Sequence, residues 1–262
     1  MIETRQVSLT TDELAIAFVL CGYDELANQI LSNEQLIDSE DKVYSFSKNI
    51  EDSLKLKGHW NDNRDSLLTE ELENMIKLLA LTQLKVRFVT GSKVTFIHKI
   101  KNEEYMMQYI NNGIHTINYF EGKNNISCII GKIIKADFID NSCEDWNPLF
   151  LDSDTFDKIH SFSLNDLKKL ASGNIAEEMK YFIQDFILNN KEFDNVSCMI
   201  MDSKKDVLHV GDVVFYLLGE KNIWFINYEE INEDKIYILP QSYEKFTERI
   251  NNWIHTFFEQ SI

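Results

Sequence analysis

Apolar residues recur along the chain with two different spacings, and each spacing predicts a different element. Near the start they are separated by three or four residues, which places them on one face of a helix. This first stripe consists of Leu14, Ala17, Phe18 and Cys21. Thr10 and Glu13 have the spacing of a capping box, and Gly22 is the residue type that commonly ends a helix. The pattern therefore predicts a helix over about Thr11–Cys21.

The same helical spacing continues through the next sixty residues with interruptions. The stretch "YDELANQIL" predicts a second short helix, and the acidic stretch 32–65 predicts a linker that is partly helical over 43–56. A third helix is expected after Thr69, whose hydroxyl can cap its first turn. Its predicted inward face consists of Leu72, Met75, Ile76 and Leu79.

From residue 84 the apolar residues alternate with polar ones, which is the pattern of half-buried strands. "LKVRFVT" and "KVTFIHKI" flank Thr90-Gly91-Ser92 and predict a β-hairpin. "GIHTINYFEG" and "ISCIIGKII" are expected to form two further strands. The intervening "EEYMMQYI" is compatible with a strand or a helix.

The order of helices followed by strands then occurs a second time. The acidic segment Asp137–Asp157 has no clear period and is the expected boundary. Helices beginning at Ser163 and Asn174 follow it, and then four alternating strands between 195 and 240. A final amphipathic helix carries Tyr243, Phe246, Ile250, Trp253, Ile254 and Phe257. The sequence predicts an α+β fold of two quasi-repeated halves, at approximately 1–140 and 150–262, each with helices followed by an antiparallel sheet, with a closing C-terminal helix.

Charge narrows the classes of partner. The 262 residues include 26 Lys+Arg against 43 Asp+Glu, a formal net charge of −17. Phosphate backbones and anionic lipid surfaces repel such a chain, so nucleic-acid and membrane-surface binding are disfavoured. Solubility accounts for the acidity, and a docking surface for a basic or polar partner is the alternative. With no recognisable signal peptide or membrane-spanning run, we expect a cytoplasmic protein.

No residue pattern predicts a reaction. Neither a P-loop nor a dinucleotide-binding glycine motif occurs, and no two histidines have helical ligand spacing. His209 and Asp212 could place two metal ligands near a turn, but a strand histidine beside a turn aspartate is the favoured explanation. The chain has no G-x-S-x-G nucleophile motif. We therefore expect no catalytic, cofactor-binding or metal-binding residues and predict that the protein is not an enzyme.

Three segments together resemble the EspG-type chaperones of type VII (ESX) secretion. They are "LTTDELAIAFVLCG" at the start, "LKVRFVTGSKVTFIHKI" at the first hairpin, and a C-terminal block containing "MDSKKD", "VVFYLLGEKN" and "ILP" before the last helix. The resemblance covers nearly the whole chain by order of elements. The Lys/Asn/Ile-rich, acidic composition differs from the Ala/Arg/Gly-rich family members and indicates a distant, Firmicute-like member.

The resemblance implies recognition without catalysis. It suggests a cytoplasmic chaperone or targeting factor that covers an apolar helical tip of a WXG/LXG-type secretion substrate before export. We expect Met106, Met107 and Tyr109 to contact this partner, because methionine suits adaptable apolar contacts. Ordinary core and edge packing is the alternative explanation of these three residues. The alternative function is an acidic immunity protein that neutralises a secreted toxin.

Overall fold

A computed structural model describes residues 6–31, 40–134, 146–202, 207–227 and 235–259. Within these ranges the chain forms ten strands and nine helices. The strands are β1 (Val7–Thr10), β2 (Leu84–Thr90), β3 (Lys93–Lys101), β4 (Glu104–Asn111), β5 (Ile114–Glu121), β6 (Leu149–Asp152), β7 (Asp194–Asp202), β8 (Val207–Leu218), β9 (Ile223–Asn227) and β10 (Lys235–Gln241). The helices are α1 (Thr11–Leu20), α2 (Asp24–Leu31), α3 (Glu40–Leu56), α4 (Glu70–Leu81), α5 (Lys123–Ile133), α6 (Ser153–Ser161), α7 (Leu164–Ala171), α8 (Glu177–Leu188) and α9 (Tyr243–Phe258).

The described strands belong to one sheet in the order β1-β5-β4-β3-β2-β7-β8-β9-β10-β6. Each end of the sheet begins with a four-residue edge strand, β1 or β6. The four strands that follow that edge strand in sequence then lie beside it in reverse order, as β5-β4-β3-β2 next to β1 and as β10-β9-β8-β7 next to β6. The β1–β5, β6–β10, β9–β10 and β8–β9 pairs are antiparallel. The predicted α+β class, with helices and then antiparallel strands occurring twice before a closing helix, is confirmed.

The chain divides into two compact units. The N-terminal unit comprises Met1–Lys85, Phe96–Phe120 and Met201–Val207. The C-terminal unit comprises Val86–Thr95, Glu121–Ile200 and Leu208–Ile262. The expected organisation as a single domain with halves at approximately 1–140 and 150–262 remains a prediction.

Both ends of α1 are formed as the sequence predicts. The Glu13 N–H donates to Thr10 Oγ1 at 3.1 Å, and the Thr10 N–H donates to Glu13 Oε2 at 2.7 Å, which completes the capping box. At the other end Gly22 has a φ of +81°, and the Tyr23 N–H donates to the Phe18 carbonyl. The Phe18 and Tyr23 rings meet edge to face. These contacts make a Schellman ending, which requires a residue that tolerates positive φ.

The N-terminal unit buries the predicted faces of its helices. The fully buried side chains of α1 and α4 pack with residues of β1, β4 and β5. This core contains Leu9, Leu14, Ala15, Ala17, Leu54, Leu68, Leu72, Met75, Ile76, Met106 and Ile117. Cys21, expected in the same core, packs at its margin and is only half-buried.

The C-terminal unit has a core rich in aromatic residues. Apolar side chains of helices α6, α7 and α8 pack against those of strands β6, β8, β9 and β10. This core contains Phe156, Ile159, Leu167, Phe182, Ile183, Phe186, Leu217, Trp224, Ile226 and Ile238. The predicted apolar face of α9 is buried at Phe246, Ile250, Ile254 and Phe257, which confirms that helix.

One predicted strand is wrong. The stretch "ISCIIGKII" lies in α5, which spans Lys123–Ile133. Ile126, Ile130 and Ile134 are fully buried, and their spacing of four residues is helical. The β-branched isoleucines favour a strand by propensity, but burial of one helical stripe overrides that preference.

Two other features follow no prediction. The acidic region that has no clear period and is the expected boundary contains β6 and the start of α6, and α8 begins at Glu177 rather than directly after Asn174. Asp152 caps α6 by accepting the Thr155 N–H at 2.7 Å. The remaining part of that acidic region, 137–145, and most of the predicted "DSKKD" hairpin loop lie outside the described residues.

Candidate partner-binding surface

The predicted contact residues lie on β4, a strand whose direction is fixed by a tight turn into β5. Asn112 and Gly113 both have positive φ, at 48° and 70°. Two successive residues in this region form the type I′ turn that two-residue hairpins prefer. The Thr11 N–H also donates to the Gly113 carbonyl at 2.9 Å, so the start of α1 is anchored to this turn.

Met106 lies on the side of β4 that faces the N-terminal core. Its side chain has no exposed surface. The next residue on that side, Gln108, is also buried, and its Nε2 lies 2.9 Å from Nδ1 of His115. The His115 Nε2 in turn lies 3.2 Å from Thr11 Oγ1. Met106 is therefore a core residue, as expected if it serves core packing rather than contact with a partner.

Met107 and Tyr109 lie on the opposite side of β4, because alternate residues of a strand point to opposite faces. Both side chains are partly exposed. Tyr105, on the same side, is buried and stacks on Phe120 of β5 with ring centroids 5.3 Å apart. Met107 and Tyr109 thus continue a row that begins with a packed aromatic pair. Partner contact by these residues remains a prediction.

Burial lowers the pKa of three basic side chains of the N-terminal unit. Burial and the positive charge of Lys85 lower the pKa of His98 to about 3. Burial also lowers the pKa of His115, and it lowers that of Lys85 to about 8. The Lys85 Nζ donates to the Leu79 carbonyl at 3.1 Å. These shifts favour the neutral form of both imidazoles at neutral pH.

In the described part of the C-terminal unit, Asp185 on α8 is a carboxyl group with a strongly raised pKa. It accepts the Trp224 Nε1–H at 2.8 Å and the Glu220 backbone N–H at 3.2 Å. Burial raises its pKa to about 6. A Cβ added at Gly219 would lie 2.4 Å from Asp185 Oδ2, so the turn after β8 closes over the carboxyl group. The carboxyl group thus joins α8 to the β8–β9 turn and to Trp224.

A surface cavity of about 510 Å³ lies in the N-terminal unit beside the end of α1. Its lining residues are Leu20, Cys21, Asn63, Arg64, Asp65, Ser66, Glu73 and Lys77. Glu73 accepts hydrogen bonds from Lys77, Ser66 and Arg64, which lower its pKa to about 2. Burial, together with the charge of Glu73, raises the pKa of Cys21 to about 11. The thiol therefore favours its protonated form at neutral pH, and Glu73 forms ion pairs with Arg64 and Lys77 in the wall of the cavity.

Neither a metal cluster nor a membrane span occurs in the described part of the chain. No group of three or more His, Cys, Asp or Glu side chains there could hold a metal ion. None of its helices is long and apolar enough to cross a bilayer. His209 and Asp212 are both exposed on β8 and join no such group.

An exposed aromatic side chain that the sequence did not point to lies at the end of the sheet. Phe150 of β6 is 60 % exposed, although it alternates with the buried Leu149 and Leu151. Its ring packs edge to face on Tyr237 of β10, with centroids 4.9 Å apart. The sequence gives no signal for this exposure, because "LFLD" has three apolar residues in a row and the alternation in burial appears only in the structure.

Comparison with known proteins identifies the fold. No protein-family model matches the chain, and no curated protein is similar to it in sequence. Among solved structures, the chain is similar to the type VII secretion system chaperone EspG5 of Mycobacterium tuberculosis, solved in complex with the PE25–PPE41 dimer. The TM-score is 0.59 at 10 % sequence identity, and the match covers 97 % of this chain and 96 % of that chain. The chain has an EspG-like fold.

Proposed function

We propose that this protein is a chaperone or targeting factor for a substrate of a type VII secretion system. The observation that supports this proposal is the agreement of fold with EspG5 over nearly the full length of both chains. An agreement of that extent is more specific than a shared sheet or a shared group of helices. Fold alone does not determine function, so the proposal needs a test on the partner.

The proposed client is a helical protein of the WXG/LXG type, bound in the cytoplasm before export. The protein would act by covering an apolar helical surface of the client, with no cofactor and no catalytic step. An exposed apolar surface of that kind promotes aggregation until it is covered. The formal net charge of −17 would keep the complex soluble.

We assign the contact to the partly exposed side of β4, with Met107 and Tyr109 as its centre. A thioether and a phenol on adjacent same-side positions offer an adaptable apolar contact and a polar tip. Met106, the third residue predicted to contact the partner, would support this strand from the core and not touch the client.

The test is co-expression of the chain with helical WXG/LXG-type proteins, followed by affinity purification. The chain is expected to retain at least one of them at a fixed stoichiometry. The double substitution Met107→Thr and Tyr109→Thr keeps strand-forming residues while removing the apolar side chains. We expect it to reduce retention, whereas Leu56→Thr, at a leucine that is 90 % exposed on α3, should not. Failure to retain any helical substrate would contradict the proposed function.

The alternative function, an acidic immunity protein, makes a different prediction for the same experiment. It requires tight binding to the C-terminal domain of a toxin and none to the N-terminal helices. Supplying the two parts of an LXG-type protein separately distinguishes the two functions.

A further inference from the structure

The two edge strands of the sheet have the same local construction. Each consists of four residues in which the first and third are buried and the fourth caps the following helix. In β1 the cap is Thr10, and in β6 it is Asp152. The second residue of each edge strand is Ser8 in β1 and Phe150 in β6. These two positions are therefore equivalent, and their chemistry differs.

The β1 edge is closed by side chains of its own unit. Ser8 lies opposite Thr116 of β5, and their hydroxyl oxygens are 3.4 Å apart. The Lys57 Nζ, from the end of α3, donates to the Ser8 carbonyl at 3.2 Å. A lysine side chain that binds a backbone carbonyl of an edge strand hinders another strand from pairing there. The same ammonium group pairs with Glu13, which fixes its position.

The β6 edge lacks these protections. Phe150 lies opposite Tyr237 of β10, so an aromatic pair replaces the hydroxyl pair. In the part of the chain that the structure describes, no side chain donates a hydrogen bond to Phe150, in contrast to the lysine at Ser8. Alternate residues of an edge strand direct their N–H and C=O groups away from the sheet. With respect to the residues that the structure describes, the β6 edge therefore offers unpaired backbone groups beside an exposed aromatic ring.

Charge indicates what can bind at this edge. The end of β6 and the exposed side of α6 carry three exposed carboxylates, those of Asp152, Asp154 and Asp157. Two exposed ammonium groups lie nearby, those of Lys158 and Lys235, so the carboxylates outnumber them. The whole chain carries a net charge of −17, so pairing with a second copy of itself is opposed by repulsion. A basic partner is attracted by the same field.

We propose that β6 is a docking edge for an extended, basic segment of a partner protein, which adds to the sheet as a strand. Main-chain hydrogen bonds to β6 supply affinity, and side chains at alternate positions supply specificity. An apolar residue of the segment packs on Phe150 and Tyr237, and a lysine or arginine lies near the Asp152 and Asp154 carboxylates. This surface is separate from the β4 surface assigned to the helical client and does not depend on that function.

The test measures binding of synthetic peptides to the full chain by fluorescence anisotropy. The probe is a capped peptide of about eight residues, long enough for one added strand, with lysine alternating with valine and one central phenylalanine. One matched peptide replaces every lysine with glutamate, and another carries N-methyl groups on alternate backbone nitrogens. We expect the lysine peptide to bind, with affinity falling as salt rises, and both matched peptides to bind at least about fivefold more weakly. Hydrogen exchange should slow at the backbone of β6 when the lysine peptide is present.

Variants locate the binding to the edge. Phe150→Ser, which installs the residue found at the equivalent β1 position, should weaken the lysine peptide by about threefold to fivefold. Leu188→Ser removes a leucine that is 71 % exposed on α8 of the same unit and should leave binding unchanged. Absence of binding, equal binding of the glutamate peptide, or protection from exchange outside β6 would each overturn the proposal. Retention of the helical client by Phe150→Ser is expected to equal that of the parent chain, so this test and the test of the chaperone function fail independently.

Discussion

Glu13 shows how much of a residue's role is visible in its local sequence. The capping box with Thr10 follows from a spacing of three residues, and the sequence predicts it. The same carboxylate also accepts the Ser53 hydroxyl and the Lys57 ammonium group, each at 2.6 Å. These partners lie 40 and 44 residues further along the chain, so no local pattern indicates them. Glu13 is 1 % exposed and joins α1 to α3.

Glu13→Gln should destabilise the protein in a manner that depends on pH. Although burial raises the pKa of Glu13, hydrogen bonds from Lys57, Ser53 and the Thr10 backbone outweigh it and hold the pKa below its usual value of 4.5. The stability contributed by this carboxylate is therefore present above that value and is lost as the pH falls through the lowered pKa. We expect Glu13→Gln to reduce the free energy of unfolding by about 1–3 kcal/mol at neutral pH.

Urea denaturation at several pH values measures this effect. The difference between Glu13→Gln and the parent chain should shrink in acid. Glu103→Gln, on an exposed turn, is the control and should change stability by less than about 0.5 kcal/mol. A Glu13→Gln deficit that is the same at all pH values would show that the charge of Glu13 does not contribute.

Asp185 should have the opposite dependence on pH. Burial raises its pKa from 3.8 to about 6, so the folded protein binds a proton more readily than the unfolded chain does. The stability that comes from protonation is present at low pH and is lost as the pH rises from about 4 through about 6. Relative to Asp185→Asn, the parent chain should lose about 2–3 kcal/mol between about pH 4 and pH 7.

Paired unfolding curves of the parent chain and Asp185→Asn across that pH range provide the measurement. Asp154→Asn, at an exposed position of α6, is a control in which no such difference is expected. Parallel stability profiles for Asp185→Asn and the parent would refute the assignment of Asp185 as a buried, proton-binding group.

Among the elements, those with a long and regular period could be predicted, and those that depend on tertiary contacts could not. Helices α1, α4 and α9 and the β2–β3 hairpin follow from caps, glycines and periodicity. The segment that forms α5 reads as a strand because its five isoleucines, between 126 and 134, favour strands by propensity. Their helical spacing is the competing signal, and burial makes that signal decisive. Strand β6 has only four residues, too few for a periodic pattern to be distinguished from a loop.

The α5–α9 contact gives a prediction that tests the helical assignment. A Cβ added at Gly131 would lie 2.9 Å from the Tyr243 hydroxyl oxygen. Alanine in a helix interior is favoured over glycine by about 1 kcal/mol. The short distance between the added Cβ and the Tyr243 hydroxyl oxygen costs free energy and offsets this stabilisation. Gly131→Ala should therefore be neutral or destabilising alone and stabilising by about 0.5–1 kcal/mol when combined with Tyr243→Phe.

A double-mutant cycle by thermal and urea denaturation measures this coupling. Tyr243→Phe alone provides the reference for the combined variant. If Gly131→Ala has the same effect in both backgrounds, the two side chains are not in contact and the placement of α5 on α9 is wrong.

For the whole molecule, the order of elements could be predicted, whereas the burial of individual residues on a strand could not. Helices followed by strands, twice over, can be predicted from periodicity, and the resemblance to EspG-type chaperones is supported at the level of fold by the match to EspG5. The placement of Met106 in the core could not be predicted, because two adjacent methionines give no indication of which one faces inward. The equivalence of Ser8 and Phe150 appears only when strand register is known, since the residues around them share few identities.

The central claim is that the protein binds the helical part of a secretion substrate. Isothermal titration of the full chain with the separately purified N-terminal helical segment and C-terminal domain of an LXG-type protein tests it most directly. We predict saturable one-to-one binding to the helical segment, weakened in the Met107→Thr/Tyr109→Thr variant, and no binding to the C-terminal domain. Binding to the C-terminal domain with none to the helical segment would contradict this claim and support an immunity protein instead.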